Sequence, residues 1–165
     1  MKNLIFLFLL IFPGISWGLT YFDINVTSLH SRSYWIDNNN DHIPFNENNA
    51  GLGLTHELSK HKNFELKGGF YDNSYHKISL YGLLNFKHTF YMGNHFYAAP
   101  GVAVGAVSGY KGTYGDYTRG HANVEPVILS NVSVGTEEIR LNVGYVPKVR
   151  QQNISFLTFQ LELKY

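Results

Sequence analysis

The chain of 165 residues has no cysteine, so neither a disulfide framework nor a thiolate centre is available to it. Its 13 Lys and Arg stand against 12 Asp and Glu, a formal net charge of +1. That balance lacks the basic field a nucleic-acid partner requires, and none is expected. The eight histidines are scattered without a ligand spacing that marks a metal site. The mature chain carries no Gly-rich phosphate motif and no nucleophile elbow, so no cofactor is expected. Beyond the N-terminus no apolar run is long enough to cross a bilayer as a helix. If this chain sits in a membrane, it does so as strands.

What is present fits that alternative. There are 16 Gly, 12 Tyr and 12 Phe, a composition that suits a barrel with aromatic girdles at its interfaces. Lys2, the run from Leu4 to Phe12, Pro13-Gly14 and the small-residue stretch Ser16-Trp17-Gly18 have the three regions of a secretory signal peptide. Residues 1–18 are therefore expected to be the leader and 19–165 one barrel domain.

The final stretch, Ser155 to Tyr165, sets the pattern. Leu157, Phe159, Leu161, Leu163 and Tyr165 fall on one face of an extended chain, and Thr158, Gln160, Glu162 and Lys164 on the other. Seven further segments alternate in the same way, at 20–30, 50–59, 64–73, 78–90, 96–108, 122–134 and 138–146. Their connections alternate between long and tight, as extracellular loops and periplasmic turns do. The fold predicted is all-β, an eight-stranded antiparallel up-and-down transmembrane barrel in the bacterial outer membrane, monomeric there. A soluble lipocalin-like barrel is the competing reading, and it would point its apolar face inward.

The face assigned to the interior divides by height. Near the loops it carries Leu29, Gly51, Gly53, Tyr71, Tyr81, Leu83, Ala103, Gly105, Gly144 and Phe156. Near the turns it carries Asp23, Glu57, Glu65, Lys67, Asn85, Lys87, Glu138, Arg140 and Glu162. A charged plug below and a small-residue apolar well above are expected, the well lined by Tyr71, Tyr81, Leu83, Gly105 and Phe156 and sized for an acyl chain. The alternative is an upper half simply packed with its own aromatics. At the loop end, His30 closes the first strand, and Asp72, Asn73 and Ser74 form the tip of the second hairpin. A histidine base beside a hydroxyl and a carboxylate or amide suits acyl transfer. His42, His76 and His121 fall in loops and read as solvated.

At these residues the chain resembles the lipid A palmitoyltransferase family of outer-membrane barrels. The likeness runs through Thr27-Ser28-Leu29-His30-Ser31-Arg32, Phe45-Asn46-Glu47, Gly51-Leu52-Gly53-Leu54 and Asp72-Asn73-Ser74. It is clearest in Pro126-Val127-Ile128-Leu129, Ser133-Val134-Gly135 and Tyr145-Val146-Pro147. The resemblance implies a divergent relative that moves an acyl chain from a phospholipid to lipid A of lipopolysaccharide. It implies His30 as general base, Ser74 stabilising the oxyanion, and Asp72 or Asn73 orienting the pair. The sequence departs from the family pattern in having Asn73 rather than aspartate before Ser74, Asn85 at the acyl-measuring position, and Ser130 in place of one gap-opening proline. The family's N-terminal helix has no room before the first strand. Two other functions stay open: a non-catalytic structural or lipid-binding barrel, and a lipid A deacylase or phospholipase using water as acceptor. If charge is what Asn73 lacks, Asn73→Asp should raise transfer; if Asn85 is the floor, Asn85→Gly should lengthen the chain accepted.

Overall fold

A computed structural model describes residues 18–36, 39–58, 63–110, 124–147 and 154–165. The expected leader, apart from Gly18, and His121 lie outside the described residues. Every regular element described is a strand: β1 (Thr20–His30), β2 (Tyr34–Ile36), β3 (His42–Pro44), β4 (Gly51–Glu57), β5 (Phe64–Asp72), β6 (Ile78–Lys87), β7 (Phe90–Met92), β8 (Phe96–Ser108), β9 (Val124–Gly135), β10 (Ile139–Val146) and β11 (Phe156–Lys164).

All pairings are antiparallel. From β6 the ladder runs through β5, β4, β1, β11, β10, β9 and β8, and β8 returns to pair with β6, so the sheet closes on itself. The result is the eight-stranded antiparallel barrel predicted. Closure gives every long strand a partner on both sides. The predicted 78–90 segment is divided in two because His88 faces Pro100, whose ring nitrogen has no hydrogen to donate; β7 resumes the ladder with β8 beyond that point. The first long loop is not wholly irregular, since β2 and β3 form a small hairpin inside it.

Alternation decides which side chains enter. Phe22, Leu52, Phe70, Leu84, Phe86, Val102, Ile128 and Leu141 are exposed on the outer surface. Arg140, Glu65, Glu162, Asn85, Thr55 and Asp23 are among the most completely buried side chains. This inverts the arrangement of a soluble barrel, where the apolar side chains would be enclosed.

One strand breaks strict alternation. Along β1 the pairing with β11 passes from Asn25–Gln160 directly to Thr27–Phe159, so Val26 has no partner and forms a β-bulge. Past it the parity inverts: Leu29 pairs with Leu157 and is exposed, while Ser28 and His30 turn inward opposite Thr158 and Phe156. The expectation of Leu29 inside is corrected accordingly. A slip of one residue exchanges the two faces, and here it brings a histidine into the barrel.

The lower interior is a connected ionic network. Arg140 donates to Glu65 Oε1 at 2.7 Å and Glu57 Oε1 at 3.3 Å, bonds Glu162 through Nε, and lies 3.7 Å from the ring centre of Tyr21. Lys87 reaches Glu57 and Glu65 at 2.8 and 2.6 Å, and Lys67 reaches Glu162 at 2.6 Å. Three cations thus meet three carboxylates out of water, where each would be costly alone. Glu138, expected within this plug, is instead exposed at the turn end, where it pairs with Lys164 at 2.8 Å. The strand begins only at Ile139, so Glu138 sits beyond the wall.

Candidate active site

Two elements deliver the candidate chemistry to one point. The β1 bulge turns His30 inward. The β5–β6 connection supplies Ser74, and its shape is held by Asn73 N–H donating to Lys77 O (2.8 Å), His76 N–H donating to Asn73 O (3.0 Å) and the positive φ of His76 at 55°. Asn46 N–H donates to Ser74 O at 2.9 Å, tying that tip to the loop before β4. Ser74 Oγ then lies 2.8 Å from His30 Nε2.

The imidazole stacks with two phenyl rings. Phe45 stacks on it at 4.3 Å with 9° between planes, and Phe156, the cross-strand partner of His30, stacks at 5.2 Å with 29° between planes. Phe45 in turn meets Tyr75, and Tyr75 meets Trp35 of the small hairpin and Tyr110. This aromatic layer leaves the His30 side chain 3% exposed. The pair therefore faces the barrel interior rather than bulk water.

Below it is a cavity of about 650 Å³, with His30 and Ser74 in its lining. Its upper wall is apolar, formed by Tyr71, Leu83, Val107, Val127 and Phe156 among others. Its lower end is polar, with Asn25, Lys67, Asn142 and Gln160. There Gln160 donates to Tyr81 Oη at 3.1 Å and Asn25 Oδ1 at 3.0 Å. Tyr71, Tyr81, Leu83 and Phe156 thus occupy the positions expected of well-lining residues.

Two predicted lining residues do not. Asn85 is fully buried one level down, donating to Glu65 Oε2 and accepting from Asn131, each at 2.8 Å; it belongs to the plug and not to the floor. Gly105 does not line the cavity either. A Cβ there would come within 2.0 Å of Gly82 O, so this glycine serves the close approach of β8 to β6. Gly53 likewise makes room for Tyr81 Oη, 2.3 Å from where its Cβ would be, and adds nothing to the well.

The hairpin-tip carboxylate and amide are committed elsewhere. Asp72 accepts from Asn46 Nδ2 at 3.0 Å and lies 3.9 Å from His76 Nδ1. Asn73 is wholly buried, donates to Ser79 Oγ and Gly109 O at 3.0 and 3.1 Å, and accepts from the N–H groups of Tyr75 and Lys77 at 2.9 and 3.1 Å. Neither makes a hydrogen bond to His30, so the orienting role expected of them finds no contact to support it. The carboxylate beside the ring is Glu47, whose Oε1 is 3.8 Å from His30 Nδ1 and 3.5 Å from the His30 backbone nitrogen. Glu47 belongs to the Phe45-Asn46-Glu47 stretch of the resemblance, but nothing in the sequence marks it for chemistry, because it lies in a loop, where face parity says nothing.

Among the described residues, strand pairing in the wall near the loops stops short between β9 and β10. β9 and β10 pair as far as Ser130–Tyr145 and, among the described residues, no further, although β9 begins at Val124. Pro126, Ile128 and Pro147 border that stretch and line the cavity, and Ile128 is also 63% exposed outside. Among the described residues the well therefore reaches the outer surface sideways, at Ile128. Asn46 to Asn49 cover the corresponding edge of β1, with Ser28 N–H donating to Glu47 O at 3.0 Å.

Among the described residues no group of three or more His, Cys, Asp or Glu is placed to hold a metal ion. Among the described residues no helix is long and apolar enough to cross a membrane, which says nothing about crossing by strands. In comparisons with known proteins, no family model and no curated protein matches the chain.

Proposed function

We propose that this barrel is an outer-membrane acyltransferase that moves a fatty acyl chain from a phospholipid to lipid A of lipopolysaccharide. The observation that carries the reading is the His30–Ser74 pair, 2.8 Å apart and turned into an apolar well. The exposed belt of Phe, Leu, Ile and Val supports residence among lipids, since an aqueous surface rarely carries so continuous an apolar patch. The sideways opening beside Pro126 and Pro147 supports entry of an acyl chain from the surrounding leaflet.

In this reading the chain threads into the well and its ester waits at the mouth. His30, neutral with its proton on Nδ1, takes a proton at Nε2 from a hydroxyl held against it. The Phe45 and Phe156 stacks fix the ring, which keeps Nε2 aimed at the ester. The polar lower end discourages deeper entry, because an alkyl tail there would strip water or hydrogen bonds from Gln160, Lys67 and Asn142 without replacing them. Mass spectrometry of lipid A from cells with and without the protein tests the proposal. A new species heavier by one acyl group, missing when His30→Ala is expressed, is the outcome this function requires. An unchanged lipid A profile with folded protein present would leave a non-catalytic lipid-binding barrel as the better reading.

A further inference from the structure

We propose that Glu47 is the carboxylate that positions His30, and that the two make Ser74 a nucleophile which carries the acyl group as a covalent ester between donor and acceptor. This rests on the acyl-transfer reading of the same site and gives Ser74 a different part in it, attacking the ester rather than only stabilising charge.

Three observations point this way. Ser74 Oγ is already within hydrogen-bonding distance of Nε2 and is itself buried, so its proton has one evident destination. The opposite nitrogen, Nδ1, is buried and has no hydrogen-bond partner. A buried N–H without a partner is costly, and the group facing it is the Glu47 carboxylate at 3.8 Å. That distance is too long for a hydrogen bond, and about 1 Å of side-chain rotation closes it, a tightening seen when catalytic sites fill. The Glu47 backbone is pinned, its carbonyl accepting from Ser28 N–H at 3.0 Å and from Thr27 Oγ1 at 2.5 Å. Only the side chain needs to move. Asp72 and Asn73, the other candidates for this part, are held by Asn46 on one side and by Ser79 and Gly109 on the other.

The chemistry balances without a cofactor. Ser74 Oγ attacks the acyl carbonyl as its proton passes to His30 Nε2. The carbonyl's electron pair returns as the bond to the glycerol oxygen breaks, and that oxygen leaves with the proton from Nε2, giving a Ser74 ester and a lysophospholipid. A hydroxyl of lipid A, or water, then attacks the Ser74 ester as its proton passes to Nε2, and as the bond to Oγ breaks Nε2 gives that proton to Ser74 Oγ, restoring both groups. The Glu47 charge stabilises the imidazolium in both halves.

The test is labelling of the purified, detergent-folded barrel with a fluorophosphonate that carries an alkyl chain, read by peptide mass spectrometry, alongside the lipid A assay. Ser74 should be modified in the wild type and not in His30→Ala. An amide for a buried triad carboxylate costs about 10⁴ in rate. Glu47 is half exposed, so Glu47→Gln should slow labelling roughly ten- to a hundredfold, and Glu47→Asp should recover part of that. Heat-modified gel mobility identifies any variant that fails to fold. Wild type that acylates lipid A but is not labelled at Ser74 would overturn the inference and leave the function standing. Labelling at wild-type rate in Glu47→Gln would remove Glu47 from the site. Labelling that requires His30 and Glu47, without any change in lipid A, would uphold the nucleophile and overturn the acceptor. Neither labelling nor acylation would overturn both.

Discussion

Asn73 occupies the place beside Ser74 where sequence reading wants a carboxylate, yet every polar atom of its side chain is in use. Its amide N–H groups point at two oxygens, Ser79 Oγ and Gly109 O. Asn73→Asp would set a carboxylate against the Gly109 carbonyl in a buried site, so we now expect a stability loss of about 1–3 kcal/mol and no gain in transfer. Chemical unfolding of the folded barrel and a transfer assay on the same preparation check both halves. Asn85, expected at the floor of the well, belongs to the plug instead. Asn85→Gly removes the bridge between Glu65 Oε2 and Asn131, so the expected outcome is a less stable plug with an unchanged acyl preference, measured by the chain length of the product. His30 and Ser74 were legible because their residue types and positions at strand ends point to chemistry. What the side chains of Asn73, Asn85 and Glu47 touch was not, since it depends on the conformation of a turn for Asn73 and on partners from other strands and loops for all three.

The strands themselves were legible at the level of period two. Their predicted ends mostly fell within a few residues of the observed ones, and the outer face was assigned almost throughout. The exception is β1, where Val26 takes no place in the ladder and nothing in Asn25-Val26-Thr27 announces it. Because the residue is supernumerary, its deletion should let Asn25 and Thr27 follow on without changing the register of Ser28 to His30. The variant lacking Val26 is expected to fold and to keep its activity. Loss of activity in a folded variant would mean that the bend, and not only the parity, positions His30. Outward orientation is tested on β11, where Leu161 lies between Ile24 and Leu141 on the outer face. If the outer face meets lipid, Leu161→Arg should cost about 2–4 kcal/mol near the midplane, read by reversible unfolding from a bilayer.

At the scale of the whole molecule, the described part of the barrel divides into an ionic plug near the turns and a largely apolar well near the loops. Arg140 touches Glu57, Glu65 and Glu162 at once. Arg140→Met should therefore destabilise the barrel by about 3–5 kcal/mol, observable as a lowered denaturant midpoint, because it leaves buried carboxylates short of a cation. The division into two levels was visible in the sequence from inward-facing residue types. The sideways opening was not, because it depends on where the β9–β10 pairing stops. The central claim, that the well presents a phospholipid acyl chain to His30 and Ser74, is tested most directly with the purified barrel in vesicles. The vesicles should contain lipid A and a phospholipid whose acyl chain carries a stable isotope, with both lipids followed by mass spectrometry. Label appearing in lipid A together with an equal yield of lysophospholipid, and neither in His30→Ala, is the result expected. Intact phospholipid and unlabelled lipid A after incubation with the folded wild-type barrel would contradict it.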